Sequence, residues 1–377
     1  MSKVKIDTIV ITSNTSWYLY NFRKNTIQAL IKKGYQVYAI APKDEYSVRL
    51  EALGAQYVPI DIDQGGTNPL KDFKAFIGFL SIYRNVRPDV VLNFTPKNNI
   101  YSTVAAKIFG GKSVNNIAGL GAIFINQGVS ATIAKWLYKF SQRFANTIFF
   151  QNEDDKALFL DNHLANPSIT DRLPGSGVDL SRFSARPSDE DGKVRFLVVA
   201  RMLYDKGIGH YVEAARKLKA EYGDSVECRL LGFVGVNNPT AVSKEEMQQW
   251  VDEGVVTYLG VSDNVEDEMA EVDCVVLPSF YREGVPKSLL EAGAMGKPII
   301  TTDNVGCRET VDHSVNGYLC EPKSTESLYA AMKEMIEVGH SKRLIMGQAS
   351  REKMQSTFDE KIIINKYMDA VESALKA

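Results

Sequence analysis

Glu283 and Glu291 stand with seven residues between them in Ser279-Phe280-Tyr281-Arg282-Glu283-Gly284-Val285-Pro286-Lys287-Ser288-Leu289-Leu290-Glu291-Ala292. An apolar strand-like run, Cys274 to Leu277, comes just before. Gly284-Val285-Pro286 is a turn leading into a helix, which puts Glu283 before the helix start and Glu291 one or two turns inside. Both carboxylates are therefore expected to point into one ligand site. Taken alone, a glutamate pair at this spacing describes a solvated helix face. Carboxylates buried at a strand end are costly unless hydrogen-bonded, and hydroxyl groups of a bound ligand are suitable donors.

A second constellation, Ala200-Arg201-Met202-Leu203-Tyr204-Asp205-Lys206-Gly207, follows the apolar run Val194 to Ala200. Arg201 can grip a diphosphate in bidentate fashion, and Lys206 can act as a mobile point charge. Together they can neutralise the charge that develops on a departing diphosphate.

The elements that must position these residues alternate between β-branched runs and helical patterns in both halves: Ile6 to Thr12, Gln36 to Ala41 and Val90 to Phe94 in the first, Val194 to Ala200, Cys228 to Leu231 and Pro298 to Thr301 in the second. That order predicts an α/β fold of two tandem Rossmann-like domains with parallel sheets facing a cleft. The boundaries expected are 1–173 for the first domain, 174–191 for a hinge rich in Gly, Ser, Pro and Asp, and 192–357 for the second, with a final helix over 358–377 that packs back on the first.

With these motifs placed, the chain resembles the retaining glycosyltransferases of the GT-B fold (family 4 type), which carry a Glu-x7-Glu motif opened by E-G-x-P and closed by Leu-Leu-Glu-Ala. It is similar in particular to bacterial polysaccharide- and glycan-assembly members that act on undecaprenyl-diphosphate-linked sugars. The resemblance implies that Glu283 contacts the donor sugar and Glu291 the ribose, and that Gly284, Val285, Pro286 and Ser288 form the turn receiving sugar or phosphate. Arg201 and Lys206 match the family's R-x4-K-G segment residue for residue. Gly232, in Leu231-Gly232-Phe233, falls where the family meets the base, and Ser13, in Ser13-Asn14-Thr15, where it often has a glycine-rich loop. Pro174 to Phe183 is similar to the family's N-G-V-D-x3-F segment, with Ser176 in place of Asn. In the first domain, Leu92 to Tyr101 and Asn116 to Gly121 resemble acceptor segments, which implies acceptor contacts from Asn93, Thr95, Lys97, Gly119 and Gly121, with Lys97 meeting phosphate. The function implied is transfer of a sugar, an N-acetylhexosamine in the favoured reading, from a nucleotide diphosphate, UDP favoured, to a polyprenyl-diphosphate-linked sugar. A sugar-nucleotide epimerase on the same scaffold and a non-catalytic sugar-nucleotide-binding subunit are the alternatives.

Composition narrows the classes. Of 377 residues, 45% are hydrophobic and 24% charged, as in a globular protein. The four cysteines show no C-x-x-C spacing, and His163, His210, His313 and His340 are scattered, so neither zinc nor a disulfide framework is expected and no cofactor or metal is required. Gly111-Lys112-Ser113 lacks the upstream glycine of a phosphate loop, and Gly119-Leu120-Gly121 is an incomplete dinucleotide fingerprint. The N-terminus lacks a signal-peptide pattern and no apolar run spans a bilayer, so cytoplasmic residence is expected, peripheral on the inner membrane face. Net charge is −2, yet residues 64–150 hold ten Lys and Arg against two Asp and Glu. Without a helix-turn-helix, zinc-finger or RNP pattern, that segment points to membrane phosphate rather than nucleic acid. Its interleaved aromatic and basic residues, Lys71 to Arg87 and Lys135 to Arg143, suit an interfacial helix.

Overall fold

A computed structural model of the chain describes residues 6–63, 68–120 and 128–377, apart from the side chain of Ser130. Contacts divide the chain into two compact units, Met1–Ser176 with Lys361–Ala377, and Gly177–Glu360. The first division, at Ser176, falls inside the stretch 174–191.

In the first unit β1 (Thr8–Thr12), α1 (Ser16–Lys32), β2 (Gln36–Ala41), α2 (Ser47–Ala52), β3 (Gln56–Pro59), α3 (Pro69–Val86), β4 (Val90–Phe94), α4 (Thr103–Ile108), β5 (Lys112–Ile117), α5 (Val129–Ser141), β6 (Thr147–Phe150), α6 (Glu153–Asp161) and β7 (Thr170–Arg172) follow in order. The sheet runs β3-β2-β1-β4-β5-β6-β7, with parallel registers such as Ile9 opposite Val37 and Val90. Strands buried on both faces read as continuous apolar runs, as in Ile9-Val10-Ile11. Helix starts follow local chemistry: Thr15 caps α1 through Tyr18 N–H at 3.0 Å, and Asn68 caps α3 ahead of Pro69.

The second unit holds β8 (Val194–Val199), α7 (Ile208–Tyr222), β9 (Val226–Leu231), α8 (Lys244–Asp252), β10 (Thr257–Tyr258), α9 (Val265–Ala270), β11 (Cys274–Leu277), α10 (Lys287–Ala294), β12 (Ile299–Thr302), β13 (Gly317–Cys320), α11 (Thr325–Glu337) and α12 (Gly339–Thr357). Its parallel sheet runs β10-β9-β8-β11-β12-β13. The chain then returns as α13 (Glu360–Lys376), whose Ile363, Tyr367 and Val371 are buried in the first unit's core. Tyr367 OH accepts from Asn116 Nδ2 at 2.7 Å, and Lys366 pairs with Asp171 at 2.8 Å.

Strand order reverses between β1 and β4 in one sheet and between β8 and β11 in the other. Ligands of such sheets bind outside the carboxyl ends of the strands at that reversal. Both predicted constellations of the second unit, at Arg201 and Glu283, follow the two strands that flank it.

Candidate active site

In the second unit the loop after β8 and the loop after β11 are stitched together. Phe280 and Tyr281 N–H both donate to Asp205 O, at 3.0 and 3.1 Å. Lys206 Nζ forms an ion pair with the Glu283 carboxylate, and Ser279 Oγ donates to the same carboxylate at 2.8 Å. Lys206 Nζ also lies 5.5 Å from the Tyr281 ring centroid. Gly207 (φ +79°) closes the first loop because a Cβ there would stand 2.1 Å from Pro278 O. Arg201 is exposed and has no side-chain partner among the described residues. A cation free to meet an anion therefore stands five residues from one held on a carboxylate.

Glu283 precedes α10, whose first turn follows Pro286. The amino end of that helix offers backbone N–H groups and the positive end of its dipole. Ser288 and Glu291 lie on α10, and Val285 packs into the core below the turn. Burial raises the Glu291 carboxyl pKa, against the pull of Lys287 and Arg182; Arg182 itself holds Glu266 through two bonds of 3.0 and 2.8 Å. The turn is propped by residues the sequence reading did not single out. Asn304 Nδ2 donates to Tyr281 O at 2.9 Å, Thr302 Oγ1 to Ser279 O at 2.5 Å, and Gly306 (φ +78°) sits so close that a Cβ would reach 1.7 Å from Gly284 O. The only signal for them was a glycine after a strand, in Thr302-Asp303-Asn304-Val305-Gly306. Cys307, next along, is buried with its thiol pushed up to about 12 by that burial, which keeps it a neutral packing group. Gly232 (φ +140°) ends β9, and its backbone is engaged: its N–H donates to Gly260 O and its carbonyl accepts from Tyr258 OH, both at 2.7 Å.

The first unit's residues are arranged differently. Ser13 and Asn93 flank the reversal, but both are 0% exposed, so they lie beneath the surface rather than on it. Asn93 Nδ2 finds partners inside the protein, donating to Asn115 Oδ1 at 2.8 Å and to Thr103 Oγ1 at 3.2 Å, while Asn93 Oδ1 is buried with no hydrogen-bond partner among the described residues. Thr95 has φ +89°, a strained value for a β-branched residue, and its hydroxyl donates to Asn98 Oδ1 at 2.8 Å while Asn98 Nδ2 reaches Thr12 Oγ1 at 2.5 Å. A widened helical turn, Asn98–Ser102, follows. Lys97 Nζ is 2.6 Å from Asp72 Oδ1. Gly119 is half-buried with φ +121°, and Gly121 lies outside the described residues. Sequence reasoning missed Thr12, Asn98, Asn115 and Gln142, which carry this network.

Two parallel-sheet units, with a cation held on a carboxylate at the switch point of the second, agree with the GT-B fold expected from the sequence. The model described as "Glycosyl transferase 4-like" matches residues 8–152 and that described as "Glycosyl transferases group 1" matches residues 193–338. The N,N'-diacetylbacillosaminyl-diphospho-undecaprenol alpha-1,3-N-acetylgalactosaminyltransferase of Campylobacter jejuni is 28% identical over 95% of this chain and 96% of its own. The UDP-Gal:alpha-D-GlcNAc-diphosphoundecaprenol alpha-1,3-galactosyltransferase of Escherichia coli is 24% identical over 77% of this chain and 76% of its own. Among solved structures, a glycosyltransferase from Rickettsia africae has a TM-score of 0.79 at 17% identity, covering 99% of this chain and 100% of that one. The two family models together span most of the chain, and the chain is a glycosyltransferase of the GT-B fold.

Proposed function

We propose that this glycosyltransferase moves an N-acetylhexosamine from a UDP donor to a sugar on a polyprenyl diphosphate, in surface polysaccharide or glycan assembly, working at an anionic membrane surface. The observation that carries the reading is the Lys206–Glu283 pair, with Arg201 exposed and unpaired among the described residues five positions earlier in the same loop. The two relatives, whose names include diphospho-undecaprenol-linked sugars, support the acceptor class. In this reading Glu283 accepts hydrogen bonds from donor-sugar hydroxyls and Glu291 from the ribose. The bond from the anomeric carbon to the diphosphate oxygen breaks as the acceptor hydroxyl oxygen bonds to that carbon. The hydroxyl proton leaves with the nucleoside diphosphate, whose charge Arg201, Lys206 and the amino end of α10 stabilise. Acceptor phosphate draws Lys97 from Asp72, while Thr95 and Gly119 shape the loops around the acceptor and Ser13 and Asn93 support them from below.

The test is a panel of nucleotide sugars offered with short polyprenyl-diphosphate sugars, with the product's anomeric proton coupling read by NMR. A disaccharide keeping the donor's configuration is expected. Release of an epimerised monosaccharide, or donor binding without transfer, would replace the transferase reading. Two cations supply the leaving-group charge compensation, so turnover in excess chelator is expected to stay within about twofold. Activity lost to chelator and restored by magnesium or manganese would show that charge compensation needs a metal as well.

A further inference from the structure

Helix α5 is apolar on two opposite faces. Its inner face buries Ala131 and Tyr138, the latter edge-on to Phe159 at a centroid distance of 5.4 Å. Its outer face carries Val129, Ile133, Trp136 and Phe140, spaced four, three and four residues apart and exposed by 78, 53, 63 and 37%. That spacing is one stripe about 16 Å long. The Trp136 and Phe140 rings stack at 5.8 Å in water. A helix apolar on all sides belongs in a core or against lipid, and an exposed apolar stripe marks a surface that is covered in use.

Charge selects what covers it. Lys139 and Arg143 are exposed beside the stripe, and the Arg143 guanidinium lies 5.7 Å from the Phe140 ring. From Val90 to Asn152 the sequence holds six Lys and Arg and no Asp or Glu. Helix α3 offers a contrast. Leu70, Phe73 and Ile77 are exposed there too, but Lys74 pairs with Asp61 at 3.0 Å and Lys71 with Asp63 at 3.5 Å, while Phe79 and Tyr83 are buried. The lysines beside the exposed apolar residues of α3 are thus neutralised, whereas the stripe of α5 runs beside Lys139 and Arg143, which have no carboxylate partner among the described residues.

We propose that α5 is an in-plane anchor that lays Val129, Ile133, Trp136 and Phe140 into the headgroup boundary of an anionic lipid bilayer, with Lys139 and Arg143 on the lipid phosphates. The inference deepens the lipid-linked reading above and rests on it for a bilayer within reach of the enzyme. Attraction of one basic side chain to an anionic surface is a factor of about five in partition. A bound amphipathic helix adds the apolar term of its buried face.

Flotation of the full chain with vesicles tests this. The wild type is expected to float with phosphatidylcholine–phosphatidylglycerol vesicles at low salt, poorly at high salt, and poorly with phosphatidylcholine alone. Lys139→Glu with Arg143→Glu lowers binding by at least roughly 25-fold, and Ile133→Asp with Trp136→Asp abolishes it, with circular dichroism and UDP binding unchanged. The vesicle-induced blue shift of tryptophan emission disappears in Trp136→Phe and persists in Trp17→Phe. Equal flotation of the paired variants, no flotation of the wild type, or a wild-type dimer that the same variants split would each overturn the anchor. Transfer to a polyprenyl-diphosphate sugar in detergent, measured alongside, separates the two readings. Its survival without flotation removes only the anchor, and its failure with flotation intact removes only the acceptor reading.

Discussion

At the switch point of the second sheet the loops are held by charge, Lys206 on Glu283, with Arg201 uncommitted beside them. The corresponding end of the first sheet is held by neutral groups. Asn115 accepts from Asn93 at 2.8 Å and donates to Gln142 Oε1 at 2.6 Å, and Gln142 Nε2 reaches Asn99 O at 2.9 Å, all in the interior. A charged side chain in partial contact with water can change partners when an anionic ligand arrives. A buried amide cannot do so without leaving another amide unpaired. The difference assigns a redirectable charged cluster to the second switch point, while at the first the amides form a fixed frame and Lys97 on Asp72 is the charge able to change partners.

The largest effect that would break this comparison is on turnover. Arg201→Ala and Glu283→Gln are each expected to lower transfer by about 10²–10³-fold with circular dichroism unchanged, since each removes a charged contact to donor or leaving group. Wild-type rates in either purified variant would mean that the charged cluster serves the fold alone.

Stability should respond in the opposite sense. Asn115→Leu strands the amides of Asn93 and Gln142 in the interior, and a loss of roughly 2–4 kcal/mol is expected in the unfolding of the first unit. Differential scanning calorimetry resolves the two units if they melt separately. A melting profile unchanged by the substitution would show that the amide network is not the frame described.

These residues differ in how far they could be read in advance. The Glu283–Glu291 and Arg201–Lys206 segments are legible because their spacing is linear: Glu283, Gly284, Pro286 and Glu291 lie within one turn and one helix, and Arg201 and Lys206 within one loop. The parallel α/β architecture is legible because buried strands write unbroken apolar runs, and the family matches and solved structures agree with it. The frame of the first unit is not legible, because Asn93, Asn98, Asn115 and Gln142 come from β4, the turn after it, β5 and the end of α5, and amides carry no periodic signal. The strain at Thr95 is likewise invisible, since its positive φ is imposed by tertiary contacts and no glycine marks it. The interfacial pattern of aromatic and basic residues runs over both α3 and α5, and each helix buries aromatic residues on its inner face; the pairing of Lys71 and Lys74 with Asp63 and Asp61, which no linear pattern shows, distinguishes α3.

The smallest expected effect sharpens what a buried cation needs. Lys206 has a carboxylate. Lys297, in the same unit, is 1% exposed and donates to Ala270 O at 2.9 Å, with no carboxylate paired to it among the described residues. Burial pushes its pKa down to about 8, against the more distant pull of Asp273 and Glu271. The folded pKa lies below the ordinary 10.5, so below about pH 8 both folded and unfolded chains hold the proton, and folding bears the whole cost of burying it. Between about pH 8 and 10.5 the unfolded chain holds more protons, so this group's contribution to stability rises with pH. The full shift corresponds to roughly 3 kcal/mol. Lys297→Met removes the titration and keeps an unbranched chain in the cavity, at the loss of one hydrogen bond to a backbone carbonyl. The variant is therefore expected to exceed the wild type at pH 7 by about 1–2 kcal/mol, with the advantage shrinking steadily towards pH 10. Urea unfolding of both proteins across that range measures the difference, in which titrations common to both cancel. A difference independent of pH would mean that Lys297 keeps its proton with full solvation in the folded chain, through water reaching the site, and that burial without a carboxylate leaves this cation unstrained.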